Sequence, residues 1–123
     1  MKQNVILDKS YAFAIRIIRL GEFLQKKKAY VLKDQILRSG TSIGANAEEF
    51  TGASSTKDFI AKANIAYREA RETHYWLRLL RDTNYITPRM ADSMLADCDE
   101  LLKILGSILK TMKEKLRKSG SIS

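Results

Sequence analysis

Apolar residues recur along most of the chain at steps of three and four, the period of a helix with one buried face. In the first such segment, from about Asp8 to Lys27, Phe13, Ile17, Leu20 and Leu24 form one stripe. Tyr11, Ala14, Ile15 and Ile18 form a second stripe beside it, so this helix is expected to meet more than one neighbour. The second segment, from about Tyr30 to Phe50, carries Leu32, Ile36, Ile43, Ala47 and Phe50 on a shared face. Its middle reads Ser39-Gly40-Thr41-Ser42-Ile43-Gly44-Ala45-Asn46, in which each glycine costs about 0.8–1 kcal/mol against alanine in a helix interior. A loop splitting two short helices is the alternative. The apolar spacing continues across the stretch and favours one unbroken helix, whose small side chains let a neighbouring backbone come close.

Thr51 to Thr56 reads as a polar turn, and Ser55 with Asp58 resembles a capping box in which Asp replaces Glu. Phe59, Ala63, Ala66, Ala70, Thr73, Leu77 and Leu80 then sustain a heptad stripe flanked by Ile65, Trp76 and Leu79. Its alanines point to close packing against the small-residue centre of the second helix. After a turn over residues 82–86, Thr87-Pro88 is a strong helix start, with Thr as N-cap and Pro at the first helical position. Met90, Met94, Leu101, Leu105, Ile108 and Met112 form the main stripe of the fourth helix, beside Leu95, Cys98, Leu102, Leu109 and Leu116. Helices of about 20–30 residues joined by turns of about four to six predict an all-α, antiparallel up-down-up-down four-helix bundle. One domain is expected over residues 1–118, with residues 119–123 a disordered tail.

Composition narrows the function classes. With one proline and six glycines the chain lacks the turn-formers of an all-β fold. A single cysteine, Cys98, excludes an internal disulfide framework and a multi-cysteine metal site. The N-terminal residues show no signal-peptide pattern and no apolar run approaches the ~20 residues of a membrane span, so a soluble, cytoplasmic protein without membrane contact is expected.

The formal charge of +8 changes the picture, because an excess of that size attracts polyanions. In an up-down bundle one end gathers Lys26, Lys27, Lys28, Lys33, Arg78, Arg81 and Arg89. The other gathers Lys9, Lys57, Lys110, Lys113, Lys115, Arg117 and Lys118. In the fourth helix, acids precede lysines in the order the helix dipole favours, which explains part of that pattern without a ligand. Lys26-Lys27-Lys28 has no such explanation: the run repels itself, and a polyanion relieves that repulsion. Aromatics suited to base stacking are few, chiefly Tyr30 and Tyr85 near the ends, so binding would depend on phosphate and shape.

Candidate chemistry is sparse. His74 is the only histidine and Arg71 stands three residues before it, where a di-iron bundle needs Glu, so no metal or other cofactor is expected. His74 reads as a packing or hydrogen-bonding residue, and Cys98 as a small core hydrophobe. Glu69 and Glu72 share a helical face, and paired-carboxylate catalysis would need both in a concave pocket. Ion pairs with Arg38, Arg68 or Arg71 that fix helix register are the plainer account, with Arg68–Glu72 a good i,i+4 surface pair.

Several runs together resemble one family: Asp8-Lys9-Ser10-Tyr11-x-Phe13-Ala14, the stretch from Gln35 through Asn46 to Glu48-Glu49, and Ser55-x-x-Asp58-Phe59-x-x-Lys62. Ala66-x-x-Glu69-Ala70-x-Glu72-Thr73-x-Tyr75-Trp76-Leu77 continues the pattern. It is similar to the bacterial four helix bundle proteins, akin to proteins encoded in 23S ribosomal RNA intervening sequences. The resemblance implies a left-handed bundle that assembles into a homopentameric ring, with Ser42, Asn46, Glu48, Glu69 and Glu72 as structural or interface positions. A more distant relative is the accessory variability protein of diversity-generating retroelements, which binds nucleic acid and a reverse transcriptase.

The expectation from these observations is a non-enzymatic, oligomeric protein that binds structured RNA or an RNA–DNA hybrid. Its binding residues are expected to be Lys26, Lys27, Lys28, Lys33, Arg78, Arg81 and Arg89 at one end, and Lys110, Lys113, Lys115, Arg117 and Lys118 at the other. The alternative is a protein–protein scaffold, or accessory subunit, whose basic surface receives an acidic partner.

Overall fold

The computed structural model describes residues 2–120, with side chains described from residue 5 onward. The described chain is four helices in sequence: α1 (Lys2–Lys26), α2 (Tyr30–Thr51), α3 (Thr56–Asp82) and α4 (Pro88–Gly120). Each helix packs on its neighbours in sequence, and α4 closes the ring against α1. The contacts run antiparallel throughout. Gly21 meets Leu37 and Gly44 meets Ser10 between α1 and α2, while His74–Asp99 and Arg81–Asp92 join α3 to α4.

The main predicted stripes become the core, with Leu32, Met90 and Met112 only partly buried. Phe13, Ile17, Leu20 and Leu24 of α1, Ile36, Ile43, Ala47 and Phe50 of α2, and the whole α3 stripe from Phe59 to Leu80 are buried. The stretch Ser39–Asn46 is helical without interruption. Its small residues divide between two neighbouring helices. Gly40 and Gly44 face α1, where an added Cβ on Gly40 would stand 2.7 Å from Ile17. Ser39 turns to α3, where its hydroxyl oxygen lies 2.9 Å from that of Thr73, both groups fully buried.

The helix ends follow the local chemistry. Ser55 caps α3 by accepting from the Asp58 N–H at 3.0 Å, and the Asp58 carboxylate accepts in turn from the Ser54 N–H. Thr87 caps α4 through the Met90 N–H at 3.1 Å. α1 begins well before Asp8, and α4 runs through Ser119 and Gly120 into the segment expected to be disordered. Residues 121–123 of that segment lie outside the described residues.

The turns after α1 and α3 are built alike. Lys28 and Asn84 adopt left-handed backbone, with φ of 61° and 66°. In each turn the following residue donates to a carbonyl five residues back: Ala29 to Leu24, and Tyr85 to Leu80. Lys28 donates to Gln25 and Asn84 to Arg81, completing two Schellman motifs. Both lie at the same end of the bundle.

Candidate functional site

The antiparallel packing divides the predicted cations into two groups. The ends of α1 and α3 and the starts of α2 and α4 bring together Lys26, Lys27, Lys28, Lys33, Arg81 and Arg89, with Arg78 one turn further in. Lys110, Lys113, Lys115, Arg117 and Lys118 lie on the last turns of α4, at the opposite end. Arg89 and Lys110 are separated by about 30 Å of helix, so the two groups are separate surfaces.

Within the first group the side chains differ in freedom. Arg81 bonds Asp82 at 2.9 Å and reaches toward Asp92. Its guanidinium holds the Asp82 carboxyl below the ordinary carboxylate range, and its own pKa is raised by the same hydrogen bond. Lys33 is spoken for by Gln25 and Asp34, and its ammonium lies 5.9 Å from the Tyr30 ring. Lys27 stands over Phe23. Lys26, Lys28 and Arg89 are exposed and make no hydrogen bond or ion pair among the described residues. Tyr30 and Tyr85 flank them, both exposed as expected. Tyr11 and Tyr75 are exposed too, although the sequence pattern assigned Tyr11 to a packing stripe.

That second stripe of α1 stays largely outside the core: Ala14 is half-buried, while Tyr11 is 69% exposed, Ile15 46% and Ile18 48%. Of these residues Ile15 reaches the seam between α1 and α4, the thinnest interface in the fold. The seam opens into a groove of about 330 Å³ lined by Ile15, Leu20, Phe23, Met90 and Met94, with Arg16 and Arg19 at its rim. Arg16 bridges the seam to Asp97 at 2.6 Å and to Ser93 at 2.9 Å.

The acidic candidates resolve into an ion-pair cluster. Arg38 of α2 reaches both carboxylates of α3, Glu69 at 3.1 Å and Glu72, and Glu72 also accepts from the Trp76 indole at 2.9 Å. Glu72 therefore pairs across the helices with Arg38 instead of along α3 with Arg68. This fixes α2 against α3 and leaves both carboxylates engaged. Cys98 is buried, its thiol 3.2 Å from the Ala70 carbonyl oxygen. Desolvation, reinforced by Asp99 and Asp97, pushes that thiol up to about 12. Among the described residues no group of three or more His, Cys, Asp and Glu is placed to hold a metal ion, and no helix is long and apolar enough to cross a membrane.

The family model of the 23S rRNA-intervening sequence protein matches residues 2–107. The chain belongs to that family. The match covers all of α1, α2 and α3 and the greater part of α4, and stops short of the lysine-rich last turns. A crystal structure from Bacteroides thetaiotaomicron, described as a protein with unknown function from the S23 ribosomal protein family, has a similar fold at 52% identity. The TM-score is 0.87, over 89% of this chain and 99% of the other. Comparison with curated proteins finds no match.

Proposed function

We propose that this family member is a non-enzymatic, oligomeric nucleic-acid-binding protein that holds phosphate backbone at the end bearing Lys26, Lys27 and Lys28. The carrying observation is that Lys26, Lys28 and Arg89 stand together at one end without anionic partners, while neighbouring cations of the same end are paired. Unpaired surface cations release counterions when phosphates replace them, which drives association. The left-handed backbone at Lys28 adds support, because a lysine is held where glycine or asparagine would be less strained. Tyr30 and Tyr85 offer stacking faces for unpaired bases beside that cluster.

Self-association fits the exposed Tyr11, Ile15 and Ile18 stripe, and the homopentamer implied by the family resemblance is the count to test. A ring would repeat the cationic end around one axis and give avidity to weak single contacts.

Fluorescence anisotropy with a structured RNA and an RNA–DNA hybrid tests the reading. Affinity is expected to fall steeply between about 50 and 200 mM salt. Lys26→Glu, Lys27→Glu and Lys28→Glu together are expected to weaken binding at least ten-fold with the helical circular dichroism unchanged. Salt-insensitive binding, or none, overturns it, and so does a protein partner that is captured equally well after nuclease treatment. Light scattering on Ile15→Asp and Ile18→Asp reports the assembly separately.

A further inference from the structure

The flank of the bundle carries a second set of basic side chains, which shares only Arg78 with the lysine-rich end. Tyr67, Arg71, His74 and Arg78 follow at steps of four, three and four along α3, so they share one stripe beside the buried one. With Leu102 of α4 they line a cleft of about 270 Å³. Gly106 leaves room next to the Tyr67 ring: a Cβ there would come within 3.8 Å of it.

Charged residues flanking a helix interface ordinarily pair across it. His74 does so, its Nε2 lying 3.1 Å from the Asp99 carboxylate. Its Nδ1 accepts from Arg78 Nε at 3.1 Å, and the Arg78 guanidinium lies 5.8 Å from the Tyr75 ring centroid. Arg78 is thereby oriented through its Nε and its flat face, with its terminal nitrogens uncommitted. Arg71 makes no hydrogen bond or ion pair among the described residues. Asp99 brings a carboxylate to the cluster, but its near oxygen is directed at His74.

We infer that this cleft is a phosphate-binding site, in which the forks of Arg71 and Arg78, with the Tyr67 hydroxyl, take the oxygens of a phosphate ester. A guanidinium presents paired N–H donors at the spacing of two phosphate oxygens, and one that is already oriented loses less freedom on binding. The Cα atoms of Arg71 and Arg78 are two turns, about 10 Å, apart, a gap that two arginine side chains span around one phosphate. The site lies on the flank of the bundle, and it stands whether or not the lysine-rich end binds nucleic acid.

His74 supplies the reporter, because the chain has a single histidine and its ring protons give one pair of NMR signals. The full chain is titrated with inorganic phosphate, with adenosine monophosphate, and with an oligonucleotide lacking terminal phosphates. The His74 signals are expected to shift saturably, and Arg71→Gln to weaken binding by about ten-fold. Arg68→Gln, the same charge change at an exposed arginine outside the cleft, is expected to leave affinity unchanged. A loss confined to the monophosphate identifies a monoester site, and a loss extending to the oligonucleotide identifies a seat for backbone diesters. Stationary His74 signals, or equal effects of Arg71→Gln and Arg68→Gln, overturn the inference. Arg71 is exposed and unpaired, so the variant is expected to melt as the parent does.

Discussion

Gly40 of α2 lies against Ile17 of α1 so closely that a Cβ at position 40 would stand 2.7 Å from Ile17 Cγ1. Ile17 is wholly buried and β-branched, so it cannot swing aside. Helix propensity favours alanine over glycine by about 0.8–1 kcal/mol, while overpacking costs about 1–3 kcal/mol. Gly40→Ala is therefore expected to destabilise the bundle by up to about 2 kcal/mol. At Gly44 the nearest atom is the Ser10 carbonyl oxygen at 3.4 Å, an ordinary contact, so Gly44→Ala is expected to stabilise by about 0.5–1 kcal/mol. Gly21 meets Leu37, which is only partly buried and can rotate, and Gly21→Ala should fall between the two. Urea melts of the three variants check the order, and equal effects would show that α1 and α2 do not interlock here.

The buried pair of Thr73 and Ser39 invites a double-mutant cycle. Thr73 Oγ1 lies 2.9 Å from Ser39 Oγ and 2.8 Å from the Glu69 carbonyl oxygen, so one hydroxyl proton serves the helix while the other joins the helices. Thr73→Val leaves the Ser39 hydroxyl without its cross-helix partner and is expected to cost about 1–3 kcal/mol. Adding Ser39→Ala removes the stranded group, so the double variant is expected to lose less than the sum of the singles. Strict additivity would mean the hydroxyls do not interact.

The fold was legible because each helix carries a sustained apolar stripe and two of the helices open on an explicit cap, Ser55 for α3 and Thr87-Pro88 for α4. The early start of α1 was hidden by Ser10. Ile6, Ser10, Phe13, Ile17, Leu20 and Leu24 form one continuous stripe at steps of four and three, all buried, but a serine in the register breaks the apolar signal. Its hydroxyl reaches the Leu7 carbonyl at 3.3 Å. The direction of the small residues was equally hidden, since composition says that glycines permit close approach and not which neighbour approaches. The cationic end followed from topology alone. The cleft of Arg71, His74 and Arg78 did not, because a charge flanking a helix interface reads the same whether or not its partner is in reach. The 4-3-4 spacing from Tyr67 to Arg78 was the available signal.

Lys28 allows stability and binding to be separated. Its φ of 61° is a backbone conformation that disfavours a side chain by about 1–2 kcal/mol, and glycine adopts it freely. Part of that gain is offset by the greater freedom of glycine in the unfolded chain. Lys28→Gly is expected to raise stability by about 0.5–1 kcal/mol and to lower affinity for nucleic acid with a shallower salt dependence. Asn84→Gly, at the matching position of the second turn, should gain less because asparagine tolerates this region better. A Lys28→Gly variant that binds as tightly as the parent would remove Lys28 from the interface.

Cys98 makes the most direct link between burial and pH. Its thiol is pushed from an ordinary value of 9.0 up to about 12, first by desolvation and then by Asp99 and Asp97. A group whose folded pKa is raised contributes its full stability below the unfolded pKa, and that contribution is lost as pH climbs toward the folded one. The bundle is therefore expected to lose stability between about pH 9 and pH 12, with a slope from this group approaching 1.4 kcal/mol per pH unit. Cys98→Ala costs some packing at neutral pH but removes the thiol contribution, so the gap between variant and parent should narrow as pH rises. Every other group is common to both proteins, so the difference between the two curves is the quantity to read. The same burial predicts that iodoacetamide modifies Cys98 only when the bundle opens, at a rate that follows urea-induced unfolding. Rapid modification under native conditions would show that α3 and α4 separate far more readily than their shared core implies.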